Sequence, residues 1–74
     1  MREEKRLVVA IGKRVAARRI AAGFTQQDLA HKLGVSNAHV SYLERGERGP
    51  SIQMLYKIAK VFRTTVGRLV PNKV

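Results

Sequence analysis

Ten consecutive residues, Ser36 to Arg45, hold the side chains best suited to recognition: SNAHVSYLER. Wound as a helix at about 100° per residue, Ser36, Val40 and Leu43 fall on one side. Asn37, Ala38, Ser41, Tyr42 and Arg45 fall on the other. That outward set is an amide, two hydroxyls, a methyl and a guanidinium, with no acid among them. Amide and guanidinium groups make paired hydrogen bonds to base edges in the major groove, and a small alanine can meet a thymine methyl. A face kept only for solubility would carry interspersed Glu and Lys. The residue types and their spacing therefore point to a surface that reads duplex DNA. Bond-making chemistry has no comparable set: Ser41 has no His–Asp partnership in reach, and no glycine-rich phosphate loop follows a strand. His31 and His39 lack carboxylate or thiol partners at ligand spacing and read as surface or groove-edge residues, so neither a metal nor a cofactor is expected.

Two helices and a turn must position that face. Thr25 precedes a helical pattern, and Asp28 three residues on completes a capping box, each side chain satisfying a free backbone N–H of the first turn. Leu29, Ala30 and Leu33 give this helix (26–33) its apolar side, and Gly34 stops it. Ser36 caps the next helix (37–45), which Gly46 closes. Helix, short glycine-containing turn, helix is the helix-turn-helix pattern.

Around this unit the sequence predicts three more helices. Residues 1–22 form a long one, with Leu7, Ile11 and Val15 at four-residue spacing and Val8, Ile20 and Ala22 on the same broad face. Gly12 inside it costs about 1 kcal/mol relative to alanine. After the ERGERGPS loop, Ser51 caps a fourth helix in which Ile52, Leu55, Ile58, Ala59 and Phe62 line one side, while Lys57, Lys60 and Arg63 read as a solvated basic run. A last short helix spans 65–70, capped by Thr64 or Thr65 and stopped by Pro71. No segment alternates with period two, so the expected fold is all-α with five helices. Expected boundaries are 1–10 as an N-terminal extension of helix one, 11–70 as the domain, and 71–74 as a C-terminal tail.

Composition narrows the partners. Fifteen Lys and Arg against five Asp and Glu give a net charge of +10 on 74 residues, an excess that calls for a polyanion. A membrane-surface helix would want a wide apolar face with bulky aromatics, but two Phe and two Tyr are scattered along the chain. No apolar run approaches the ~20 residues needed to cross a bilayer, and the N-terminus is too interrupted by charge for a signal peptide. The absence of cysteine excludes a disulfide framework and fits a reducing cytoplasm.

The run RRIAAGFTQQDLAHKLGVSNAHVSYLERGERGPSIQMLYKIAKVF, followed by TTVGRLV, resembles the phage repressor/Cro (Xre) family of DNA-binding domains across residues 11–70. Its Gly-aromatic-Thr-Gln-x-x-Leu-Ala, Gly-Val-Ser and Leu-Glu-x-Gly segments occur in the family's order and spacing. The resemblance implies base-reading positions at Asn37, Ala38, Ser41 and Tyr42. It implies phosphate contacts from Gln26, Ser36, Arg45 and Arg48, and an ion pair between Arg19 and Glu44 tying helix one to helix three. It further implies a homodimer on an inverted-repeat operator, paired through Val66, Leu69 and Val70, although Gly67-Arg68 stand where many relatives carry an acidic residue. The partners are then double-stranded DNA and a second copy of the chain, with RNA polymerase added where the outcome is activation, and no membrane. Cro-like repressors, restriction–modification controller proteins and antitoxin-type autoregulators are small regulators of this kind. The rival expectation is a protein-interaction adaptor or antitoxin-type partner binder on the same scaffold.

Overall fold

The computed structural model describes residues 2–71, so Met1 and the last three positions of the expected tail lie outside the described residues. Five helices follow in order: α1 (Arg2–Ala21), α2 (Gln26–Leu33), α3 (Asn37–Glu44), α4 (Ile52–Val61) and α5 (Val66–Leu69). Among the described residues there is no strand. The core draws on every helix: Ile11 and Val15 from α1, Leu29, Ala30 and Leu33 from α2, Val40 and Leu43 from α3, Leu55, Ile58 and Ala59 from α4, and Leu69 from α5.

Local chemistry sets the helix ends. The capping box of α2 is complete: Asp28 N–H donates to Thr25 Oγ1 at 3.0 Å, and Thr25 N–H donates to Asp28 Oδ2 at 2.8 Å. The bond from the Thr25 backbone, followed by that of its side chain, holds the Asp28 carboxyl below its ordinary 3.8. Ser36 and Ser51 cap α3 and α4 through His39 N–H and Met54 N–H, each at 3.0 Å. Gly34, in the turn of the helix-turn-helix, adopts φ +72°, a left-handed backbone that a β-carbon disfavours. Beyond α4 and its cap Phe62 the left-handed position falls on Arg63, at φ +52°, with no glycine. Thr65 occupies the N-cap of α5 without a side-chain bond, and the hydroxyl of Thr64 is buried with no partner.

Three expectations need correction. Ile52 and Ile20 are 70% and 66% exposed, so neither joins the core. Ile52 is the first residue of α4 and Ile20 the penultimate residue of α1, and at helix ends the neighbouring helices no longer cover the stripe. Leu69 is 0% exposed, whereas Val66 and Val70 pack half-buried beside it. The Leu69 side chain therefore completes the monomer's core and offers no surface to a second copy. Lys57 is exposed, as expected of the basic run, and its Nζ also donates to the carbonyl of Leu33, the last residue of α2, at 3.1 Å. A cation there also meets the negative end of the α2 dipole.

Two contacts fix α3 against α1. Arg19 donates from Nε to Glu44 Oε2 at 2.7 Å and from Nη2 to Oε1 at 3.1 Å. Its Nη1 reaches the Phe24 carbonyl at 2.7 Å, and Gln26 Nε2 from α2 also donates to Glu44 Oε1, at 3.0 Å. The ion-paired side chains are only 15% and 6% exposed, where a bidentate guanidinium–carboxylate pair is strong. The second contact is backbone against backbone. A β-carbon on Gly12 would lie 2.8 Å from the Glu44 carbonyl oxygen and closer still to that of Leu43, and one on Gly46 would lie 2.7 Å from Val9 Cα. Lys5 Nζ donates to the Gly46 carbonyl at 3.3 Å.

Three outcomes follow. In a bare helix Gly12→Ala would gain about 1 kcal/mol, but overpacking against immobile carbonyls costs about 1–3 kcal/mol. A lowered urea midpoint is expected, and a raised one would show that α1 and α3 are not in contact. Glu44→Ala strands a part-buried guanidinium and should cost roughly 3 kcal/mol, the low end for a broken buried pair because Arg19 keeps Phe24 O. Replacing both partners (Arg19→Met with Glu44→Leu) should restore most of that loss, read by chemical denaturation. Finally, because the folded Asp28 pKa is depressed, its stabilisation is present above pH 3.8 and fades as pH falls through the lower folded value. An NMR titration should place its midpoint below 3.8 and return it toward 3.8 in Thr25→Val.

Candidate nucleic-acid interface

Helix α3 turns Val40 and Leu43 inward, leaving Asn37, Ala38, His39 and Arg45 exposed and Ser41 and Tyr42 half-buried. Its one acid, Glu44, is drawn off that surface by Arg19 and Gln26. The outward side of α3 is thereby free of negative charge.

Helical spacing divides this surface into two flanks with Ala38 between them. Asn37 and Ser41 lie on the flank shared with Glu44. Gln26, the first residue of α2, keeps its side-chain oxygen and one N–H beyond the bond to Glu44. On the other flank Ser36, His39, Tyr42 and Arg48 line one small cleft. The Arg48 guanidinium lies over the Tyr42 ring at 5.1 Å from its centroid, and that of Arg45 lies over the same ring at 5.6 Å. Arg45 is also ion-paired with Glu47, both side chains being about half exposed. The Ser36 hydroxyl accepts from His39 N–H as the cap and keeps its own proton for an external acceptor.

The site thus assembles Asn37, Ala38, Ser41, Tyr42, Arg45 and Arg48 along one helix and the loop behind it. Gln26 is placed at the adjoining end of α2. His39, a surface or groove-edge residue on its sequence pattern, joins this group, and its spacing three residues before Tyr42 is the signal that the two share a flank. Spacing could not reveal that two arginines stack on one tyrosine, because Arg48 reaches the ring from a loop whose path no periodicity describes. Among the described residues no three His, Asp or Glu side chains gather as a metal site, and no helix is long and apolar enough to cross a membrane.

Comparison with known proteins agrees with this fold. The helix-turn-helix family model HTH_3 matches residues 15–69. An uncharacterised HTH-type transcriptional regulator of Archaeoglobus fulgidus is 40% identical over 56 residues, covering 76% of this chain and 80% of that protein. The restriction–modification controller protein C.AhdI of Aeromonas hydrophila superposes with a TM-score of 0.78 at 31% identity, over 84% of this chain and 94% of that one. The fold also serves as a module: hydroxypropylphosphonic acid epoxidase from S. wedmorenis matches 88% of this chain at 29% identity and TM-score 0.82, but across only 35% of its own length. With a family model spanning most of the chain and regulators matched over most of their length, the protein belongs to the Xre-type (HTH_3) helix-turn-helix transcriptional regulators and carries their DNA-binding domain.

Proposed function

We propose that this protein is a sequence-specific regulator that binds an inverted-repeat operator as a homodimer, with α3 in the major groove, and that it has no catalytic role. The observation that carries the reading is the removal of Glu44, the only acid of α3, into the Arg19–Gln26 network. An acid left on that surface would repel phosphates and reject most base edges. Once it is internal, Asn37, Ala38 and Ser41 can meet bases while Gln26, Ser36, Arg45 and Arg48 engage the backbone. Phosphate contacts fix the register of the helix, and base contacts choose the sequence.

One such domain reads too few base pairs to define a unique site, so two copies are needed, on half-sites about one helical turn apart. Val66 and Val70 are the remaining candidates for the copy-to-copy contact once Leu69 is counted as core. Control then comes from concentration: dimerisation and operator occupancy rise together. RNA polymerase becomes a further partner only if the outcome is activation. The cytoplasm is the compartment in which such a protein meets its DNA.

Selection of bound duplexes from a random pool should return a palindrome. The logarithm of affinity for it should fall with log salt by about 0.9 per phosphate neutralised. Asn37→Ala with Ser41→Ala should cut the preference for that palindrome over random duplex by about tenfold or more, since each base contact is worth roughly 1–3 kcal/mol. A wild-type protein that binds every duplex equally at all salt concentrations would refute the reading and favour a protein-binding adaptor, for which the double substitution would leave partner binding intact.

A further inference from the structure

The Tyr42 ring carries two guanidinium groups, and this arrangement bears on what Tyr42 does. Arg45 lies at 5.6 Å and Arg48 at 5.1 Å from its centroid, both within the reach of a cation–π contact. Glu47 pairs with Arg45 from the side, and Ser36 and His39 complete the cleft around Arg48. An arginine that waves freely in solvent loses considerable rotamer freedom when it binds a phosphate. One already laid on an aromatic face has given up much of that freedom before the duplex arrives. A ring covered by two cations also has less of its surface left for a base.

We propose that Tyr42 is a positioning residue rather than a base reader: its ring holds Arg45 and Arg48 together at one edge of α3, where they grip the sugar-phosphate backbone. This rests on the DNA-reading face described above and assigns Tyr42 to affinity, leaving sequence choice to Asn37, Ala38 and Ser41. Guanidinium groups suit the task because their planar forks pair with phosphate oxygens while their faces stack on the ring. The electron-rich ring face, and the Glu47 carboxylate paired with Arg45, offset the repulsion between the two like charges.

The test compares Tyr42→Phe and Tyr42→Leu in the full chain. In the free protein, the side-chain protons of Arg45 and Arg48 should show ring-current shifts in wild type and Tyr42→Phe and lose them in Tyr42→Leu. Against both the selected palindrome and a random-sequence duplex, Tyr42→Phe should bind like wild type. Tyr42→Leu should bind both about 3–10-fold more weakly, with their ratio unchanged. Arg45→Gln with Arg48→Gln should weaken both duplexes at least as much, and adding Tyr42→Leu to that pair should change nothing further. Loss confined to the palindrome, or loss in Tyr42→Phe as well, would overturn the proposal by making the tyrosine a reader. Unchanged binding in Tyr42→Leu would overturn it too. Should wild type show no preference among duplexes, the regulator reading fails, while the ring-current and random-duplex comparisons still decide the role of Tyr42.

Discussion

The carboxylate of Glu44 is the point on which the proposed recognition surface depends. It sits on an eight-residue helix whose other side chains are neutral or apolar. At that position it would either face the ligand or be hidden, and hiding an unpaired charge is prohibitively costly. Arg19 resolves the conflict with two hydrogen bonds from α1, and Gln26 adds a third from α2. One buried-edge network thus joins the three helices that must keep a fixed relation for α3 to present its face. A hydrophobic pair could hold the helices as tightly, but a guanidinium–carboxylate fork also fixes their rotation, because its geometry is directional.

Charge is distributed with the same economy. Lys5, Arg14, Arg19 and Lys57 each donate to a backbone carbonyl, at Gly46, Arg68, Phe24 and Leu33 respectively. These groups satisfy acceptors at loops and helix ends, so the net charge of +10 overstates the number of cations uncommitted to the fold. Arg45 and Arg48 are different, since they stand exposed beside α3 on an aromatic support. Long-range attraction to a polyanion draws on all the positive charge, whereas register draws on the few cations whose positions are defined.

Close packing of α1 on α3 completes the support. Gly12 and Gly46 let backbone meet backbone, which leaves no slack for α3 to tilt. In the sequence Gly12 is a helix-weakening residue that close helix packing would explain, with no indication of the partner. Its value becomes visible only when the Leu43 and Glu44 carbonyls are found where its β-carbon would be. A local cost of about 1 kcal/mol is offset by a tertiary contact that no other residue permits.

Much of the architecture was legible without coordinates because it is governed by short-range chemistry. Caps at Thr25, Ser36 and Ser51, the stop at Gly34 and the apolar stripes of α2 and α3 act within a turn or two of chain, so residue identity alone decides them. The outward face of α3 was readable for the same reason, being a consequence of helical period. What lay beyond reach were relations between segments distant in the chain. Whether Leu69 points into the core, whether Ile52 is covered, which carbonyl Lys57 finds and which ring Arg48 rests on all depend on how whole helices dock. Periodicity states which side of a helix is apolar; only the packed neighbours decide how far along that side the covering extends.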